Sequence, residues 1–200
     1  MAFYAQEFLR IHLAEAHSAL SLLHRDVTLL SALDSACNAC ISACSGGWKI
    51  LVAGNGGSAA DAQHFAGELV SRFYFDRPAL AAIALSTDTS ILTAVGNDYG
   101  YEKIFSRQIE ALGSPGDVFI AISTSGTSAN ILQALNQAKA QGLTTIGLTG
   151  RSGGKMKDLC DICLCAPSDS TPRIQECHLV LEHSLCACIE EALFACHRSL

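Results

Sequence analysis

The stretch Leu51–Glu68, LVAGNGGSAADAQHFAGE, decides how the rest of the chain is read. A short apolar segment, Ile50-Leu51-Val52-Ala53, enters a Gly-rich turn at Gly54-Asn55-Gly56-Gly57, which leads into a helix that Ser58 can cap. A strand, a tight glycine turn and a helix start leave backbone N–H groups free where the helix dipole favours negative charge. The expectation is a phosphate site. It is not a P-loop, which ends in Lys-Ser/Thr, and the spacing of Gly54, Gly56 and Gly57 is not GxGxxG. No lysine lies between Leu51 and Tyr101 to counter a magnesium triphosphate, so a single phosphate met by N–H groups and hydroxyls fits better.

The same device recurs. Asp117-Val118-Phe119-Ile120-Ala121-Ile122 is a β-rich apolar run, followed by Ser123-Thr124-Ser125-Gly126-Thr127-Ser128 and by a helical segment from Ala129 to Gln141 that stops at Gly142. Five of the six loop residues are Ser or Thr, more hydroxyls than a helix cap needs. In an open parallel α/β sheet, ligands bind at the carboxyl ends of strands, so both loops are expected on one edge of the sheet.

Working outward, 200 residues of which 50% are hydrophobic suit one domain with a substantial core. With 13 basic against 19 acidic residues the net charge is −6, and no Lys/Arg run offers a nucleic-acid surface. No run approaches a membrane span, and Glu7 and Arg10 stand where a signal peptide would be basic and then apolar; a soluble cytoplasmic protein is expected. The 10 cysteines include two CxxC pairs, Cys37/Cys40 and Cys160/Cys163, which could in principle make a four-thiolate zinc site. The spacing of Cys37, Cys40 and Cys44 among Ala and Ile reads instead as small buried hydrophobes of a reduced chain.

Residues 1–46 read as two helices. Phe8, Leu9, Leu13, Ala16, Leu20 and Leu23 form the first apolar stripe, and Leu29, Leu30, Leu33, Ala36, Cys40 and Ile41 the second. These stripes are wider than one sheet surface can cover, which predicts that the pair packs against another subunit. Residues 47–200 read as the α/β core. Further strands are expected at Ala81–Leu85, Thr144–Thr149 and Asp161–Ala166, with a short helix from Ser86-Thr87-Asp88 through Leu92, a turn at Gly96–Gly100, a helix over Glu102–Leu112, and a final helix from Pro172 to about His197. The alternation argues for a doubly wound, parallel sheet of about five strands flanked by helices.

The run GNGGSAADAQHFAGEL, the STSGTS loop, GNDYG, LTGRSGGKM and RIQECHLVLEH together resemble the SIS (sugar isomerase) domain family, and within it the phosphoheptose isomerase branch. The resemblance covers nearly the whole chain and implies conversion of sedoheptulose 7-phosphate to D-glycero-D-manno-heptose 7-phosphate by a homotetramer. It implies that Asn55, Gly56, Gly57 and Ser58 form one substrate loop, that Ser123, Thr124, Ser125 and Ser128 hold the phosphate, and that Asn97 and Asp98 contact the sugar. It also implies that Glu68 and His183 are the acid/base pair, that Gln175 and Glu68 touch substrate, and that His64, Glu68, Gln175 and His183 bind an exchangeable zinc, one per subunit.

Spacing supports part of this. His64 and Glu68 are four apart and share a helix face, roughly 9–15 Å past Ser58 at 1.5 Å rise per residue. On the last helix, His178 and Glu182 share a face with Gln175 at least as well as His183 does, so only the resemblance selects His183. The same scaffold carries a regulator that binds a replication initiator, which Ala59–Phe65 and Pro78–Leu85 also resemble; that branch lacks the carboxylate and last histidine, whereas Glu68 and His183 are present here. A sugar-phosphate sensor would keep Ser123–Ser128 without needing an acid/base pair.

Overall fold

The computed structural model describes residues 5–195. Two long helices, α1 (Ala5–Arg25) and α2 (Val27–Ser45), precede β1 (Ile50–Gly54) and α3 (Gly57–Val70). There follow β2 (Ala82–Ala84), α4 (Thr89–Tyr99), a 3-10 turn (Tyr101–Lys103) and α5 (Ser106–Leu112). The chain continues through β3 (Val118–Ser123), α6 (Ala129–Ala140), β4 (Thr144–Thr149), α7 (Met156–Leu159), β5 (Ile162–Cys165) and α8 (Thr171–Phe194). The five strands form one parallel sheet in the order β2-β1-β3-β4-β5. Because β1 is followed first by a neighbour on one side and then by β3 on the other, the order reverses between β1 and β3. That reversal opens a crevice at the carboxyl ends of these two strands.

The central strands are buried along their whole length, as the continuous apolar runs of a doubly covered parallel sheet require. Alternate residues feed two cores. Ile50, Val52, Ile120 and Ile122 pack under α2, α3 and α8, while Leu51, Ala53, Phe119 and Ala121 pack under α5 and α6. The two surfaces of the sheet therefore fix α3 and α8 side by side on one face.

Four expectations change. Ser58 does not cap α3: Gly56 is the N-cap, at φ 57, and Ser58 is turned inward at 3% exposure. A left-handed residue at that point folds the chain back so sharply that the first turn starts one residue before Ser58 could cap it. The Gly96–Gly100 segment is no free turn. Asp88 accepts a hydrogen bond from the Ile91 N–H at 2.9 Å, and the capped helix runs on through Asn97 and Asp98 to Tyr99. The helix expected over Glu102–Leu112 is split by Ile104 and Phe105, both buried, into the 3-10 turn and α5. By length and composition α2 is also long and apolar enough to cross a membrane, contrary to the sequence reading, yet Leu29, Ala36, Cys37, Cys40 and Ala43 sit in the core beside α8. The expected helix end near His197, like Cys196, lies outside the described residues.

Candidate active site

Both glycine- and hydroxyl-rich loops stand at the crevice between β1 and β3, and a cavity of about 240 Å³ opens between them. Asn55, Gly57 and Ser58 line it from the first loop, and Ser123, Thr124 and Ser128 from the second. Thr171 and Gln175, on the first turns of α8, close the third side. Gln175 comes so close to Gly57 that a Cβ there would stand 2.3 Å from its Nε2.

The second loop is internally organised. The Ser123 and Ser128 hydroxyls are 3.0 Å apart, and Ser125 Oγ accepts from the Thr127 N–H at 3.2 Å and from its hydroxyl at 3.0 Å. Ser128 is the N-cap of α6 but spends no side-chain bond on the helix, which leaves its hydroxyl on the cavity side. The turn depends on Gly126, at φ 64, where a Cβ would stand 2.2 Å from the Gly153 carbonyl. The LTGRSGGKM motif is thereby explained: it is the bed on which the hydroxyl loop lies, with the Gly150 N–H bonded to Thr124 O and the Met156 N–H to Gly126 O. Hydroxyls clustered against one another, a helix N-terminus and no carboxylate in the lining suit a phosphate monoester.

Asn130, which the sequence reading did not single out, joins the two loops. Asn55 Nδ2 donates to Asn130 Oδ1 at 2.9 Å, and Asn130 Nδ2 donates back to Asn55 Oδ1 at 2.8 Å. Tyr101 adds its hydroxyl to Asn55 Oδ1 at 3.2 Å. The available signal was an Asn in the first turn of a helix that already had a Ser cap. Thr171 was also missed, being hidden in an ordinary Thr-Pro helix start.

Further along the same pair of helices lies a second cluster. His64 Nε2 on α3 stands 2.8 Å from His183 Nε2 on α8 and 3.6 Å from Glu68 Oε1. For this contact to be a hydrogen bond, one imidazole nitrogen donates and the other accepts. The Glu68 side chain is 25% exposed and the His64 side chain 42%, which leaves the cluster open to a ligand. The ambiguity on α8 is resolved by burial. His178 is wholly buried, donates Nε2–H to the Thr149 carbonyl at 3.1 Å, and is held down to a pKa of about 4 by desolvation. Glu182 is 1% exposed, and burial, then the nearby Asp61 charge, push its carboxyl up to about 8. Only His183 of the three faces His64.

Asn97 and Asp98 are exposed in the last turn of α4, bonded to each other at 2.8 Å, and are not in the cavity lining. For a metal, His64, Glu68 and His183 offer two imidazoles and a carboxylate, the donor chemistry of zinc, while the Gln175 amide is turned to Gly57. The 2.8 Å between the two nitrogens is shorter than the roughly 3.3 Å between ligands of one tetrahedral zinc, so the rings must part slightly to admit it. Among the described residues no three His, Cys, Asp or Glu donors already stand at metal-binding spacing, the two CxxC pairs included.

The profile of the SIS domain family matches residues 16–150. A phosphoheptose isomerase of Burkholderia pseudomallei is 58% identical over 182 residues, 91% of this chain and 92% of its own length. The solved structure of a phosphoheptose isomerase from Neisseria gonorrhoeae superposes with a TM-score of 0.88 at 44% identity, covering 94% of this chain and 99% of that one. One from Francisella tularensis gives 0.90 at 38% identity, covering 94% and 100%.

Proposed function

The chain belongs to the SIS domain family and, within it, to the phosphoheptose isomerases, and from that premise we propose how its residues divide the work. The reaction is the interconversion of sedoheptulose 7-phosphate and D-glycero-D-manno-heptose 7-phosphate, an aldose–ketose isomerisation. The phosphate is held by Ser123, Thr124, Ser125 and Ser128 with the start of α3, and Asn55 and Gln175 bind the adjoining part of the chain. Asn97 and Asp98 contact sugar hydroxyls.

The observation that carries this reading is the placement of Glu68 beside the His64–His183 pair, two to three turns along α3 from the phosphate cavity. That separation is about the length of an extended seven-carbon phosphate, so the carbonyl end reaches the acid/base groups while the phosphate stays in its loop. Glu68 takes a proton from C1 of the ketose and returns it to C2, through an enediol. His183 moves the accompanying proton between O1 and O2, and its contact with His64 orients its ring. Zinc would be held by His64, Glu68, Gln175 and His183 and would supply Lewis-acid polarisation of the carbonyl. Such a site would be exchangeable, because Gln is a weak zinc donor.

The stripes on α1 and α2 suit a homotetramer, and the nine described cysteines, all free thiols, suit the reducing cytoplasm. The initiator-binding regulator and the sensor are not favoured: neither has use for Glu68 and His183 brought together. The test is turnover of sedoheptulose 7-phosphate, with Glu68→Gln in parallel and with and without a chelator. The expected result is aldose from the wild type and a loss of about a thousand-fold or more in the variant. A folded wild type that binds the sugar phosphate but yields no aldose would overturn the assignment.

A further inference from the structure

Glu68 and His183 lie on different helices, and something must hold those helices in register. The last carbonyls of α3 have no partner within the helix. Arg77, beyond the helix end, supplies one: its Nη2 donates to the carbonyl of Glu68 at 2.8 Å and its Nη1 to that of Leu69 at 2.7 Å. Its Nε meets Glu190 Oε1 at 3.2 Å, and the two side chains are 0% and 1% exposed. Glu190 stands on α8, seven residues or two turns past His183 and thus on the same side of the helix. Its carboxylate also accepts the N–H of Phe73 at 2.9 Å and of Tyr74 at 2.6 Å. Phe73 in turn lays its ring 5.5 Å from that of His183.

A buried ion pair contributes little net stability against an apolar replacement, but it specifies one geometry and is costly to break on one side. Here every bond it makes ends on the last turn of α3, on α8, or on the segment between them that carries Phe73. We infer that Arg77 and Glu190 are positioning residues, a clamp that sets the distance between Glu68 with His64 on one helix and His183 on the other. This rests on the isomerase reading. The phosphate cavity, two turns or more away, does not depend on the clamp.

The test compares Arg77→Lys, which keeps the charge but not the fork, and Glu190→Gln with Ile109→Ala, a core truncation on the opposite face of the sheet that lowers stability by itself. The clamp predicts a fall in kcat of about ten- to a hundred-fold with KM and inorganic-phosphate affinity within about two-fold, while Ile109→Ala keeps wild-type kcat well below its own melting temperature. Crystal structures of wild type and Arg77→Lys, both grown with a chelator so that no metal parts the rings, add a readout free of activity: the His64–His183 contact opens beyond hydrogen-bonding distance in the variant only. A kcat equal to that of Ile109→Ala, a KM that rises as kcat falls, or an unchanged contact would overturn the clamp. A wild type without turnover would instead sink the isomerase reading, leaving the crystallographic comparison to judge the clamp. If Arg77→Lys does not fold, Phe73→Leu removes the ring against His183 and must show the same loss of kcat at constant KM.

Discussion

Two glycines show how differently a single methyl group can act in this site. At Gly57 a Cβ meets only the end of the Gln175 side chain, which can swing away. Gly57→Ala is therefore expected to leave the melting temperature nearly unchanged and to raise KM several-fold, since the cavity loses its amide wall. At Gly126 the obstacle is the Gly153 backbone carbonyl, and the residue sits at φ 64. Gly126→Ala is expected to cost about 1–3 kcal/mol in thermal or denaturant unfolding and to abolish measurable phosphate affinity, because the hydroxyl loop must lift off its bed. Equal behaviour of the two variants would mean that the loop is not shaped by that contact.

At the scale of elements, each loop is a strand end joined to a helix start, and the work is divided between them. Ser123→Ala with Ser125→Ala removes two hydroxyls from the second unit without touching the apolar strand behind it, so KM is expected to rise at least about ten-fold with the fold intact; an unchanged KM would place the phosphate elsewhere. Helix α8 carries a different signature. Glu182 is buried without a hydrogen-bond partner for either oxygen, and its carboxyl is raised from 4.5 to about 8 by burial. A group whose pKa is higher in the folded state favours folding at low pH, so its contribution is complete below about 4.5 and is lost as pH rises through about 8. At about 1.4 kcal/mol per pH unit the full loss is on the order of 5 kcal/mol. Melting curves from pH 5 to 8.5 should therefore decline for the wild type and flatten for Glu182→Gln; parallel curves would show that Glu182 is compensated.

For the whole molecule, the open question raised by the sequence was what covers the N-terminal helices. The chain itself covers part: Ala19 and Leu23 of α1 join the core against α8. Leu9, Ile11 and Leu13, at 57%, 54% and 70% exposure, stay uncovered, together with Val27 at 78%. So much apolar surface on these two helices suits a subunit interface. Leu9→Glu with Leu13→Glu is expected to reduce the proposed tetramer to smaller species in light scattering behind size exclusion, and an unaltered mass would exclude α1 from any subunit contact.

The strands, the two phosphate-type loops and the Glu68–His64 pairing were legible from the sequence, because each is written in neighbouring residues: an apolar run, a cluster of glycines or hydroxyls, a spacing of four. Helical spacing does not choose among His178, Glu182 and His183, since it places all three plausibly; only the family resemblance points to His183, and the neighbour of α8 decides which faces a histidine and which is sealed in the core. The same holds for Asn130 with Asn55, 75 residues apart, and for Arg77 with Glu190, 113 apart. Local propensity and periodicity specify elements and their polar ends; contacts between distant residues exist only once the sheet order β2-β1-β3-β4-β5 has placed one loop beside the other and α3 beside α8.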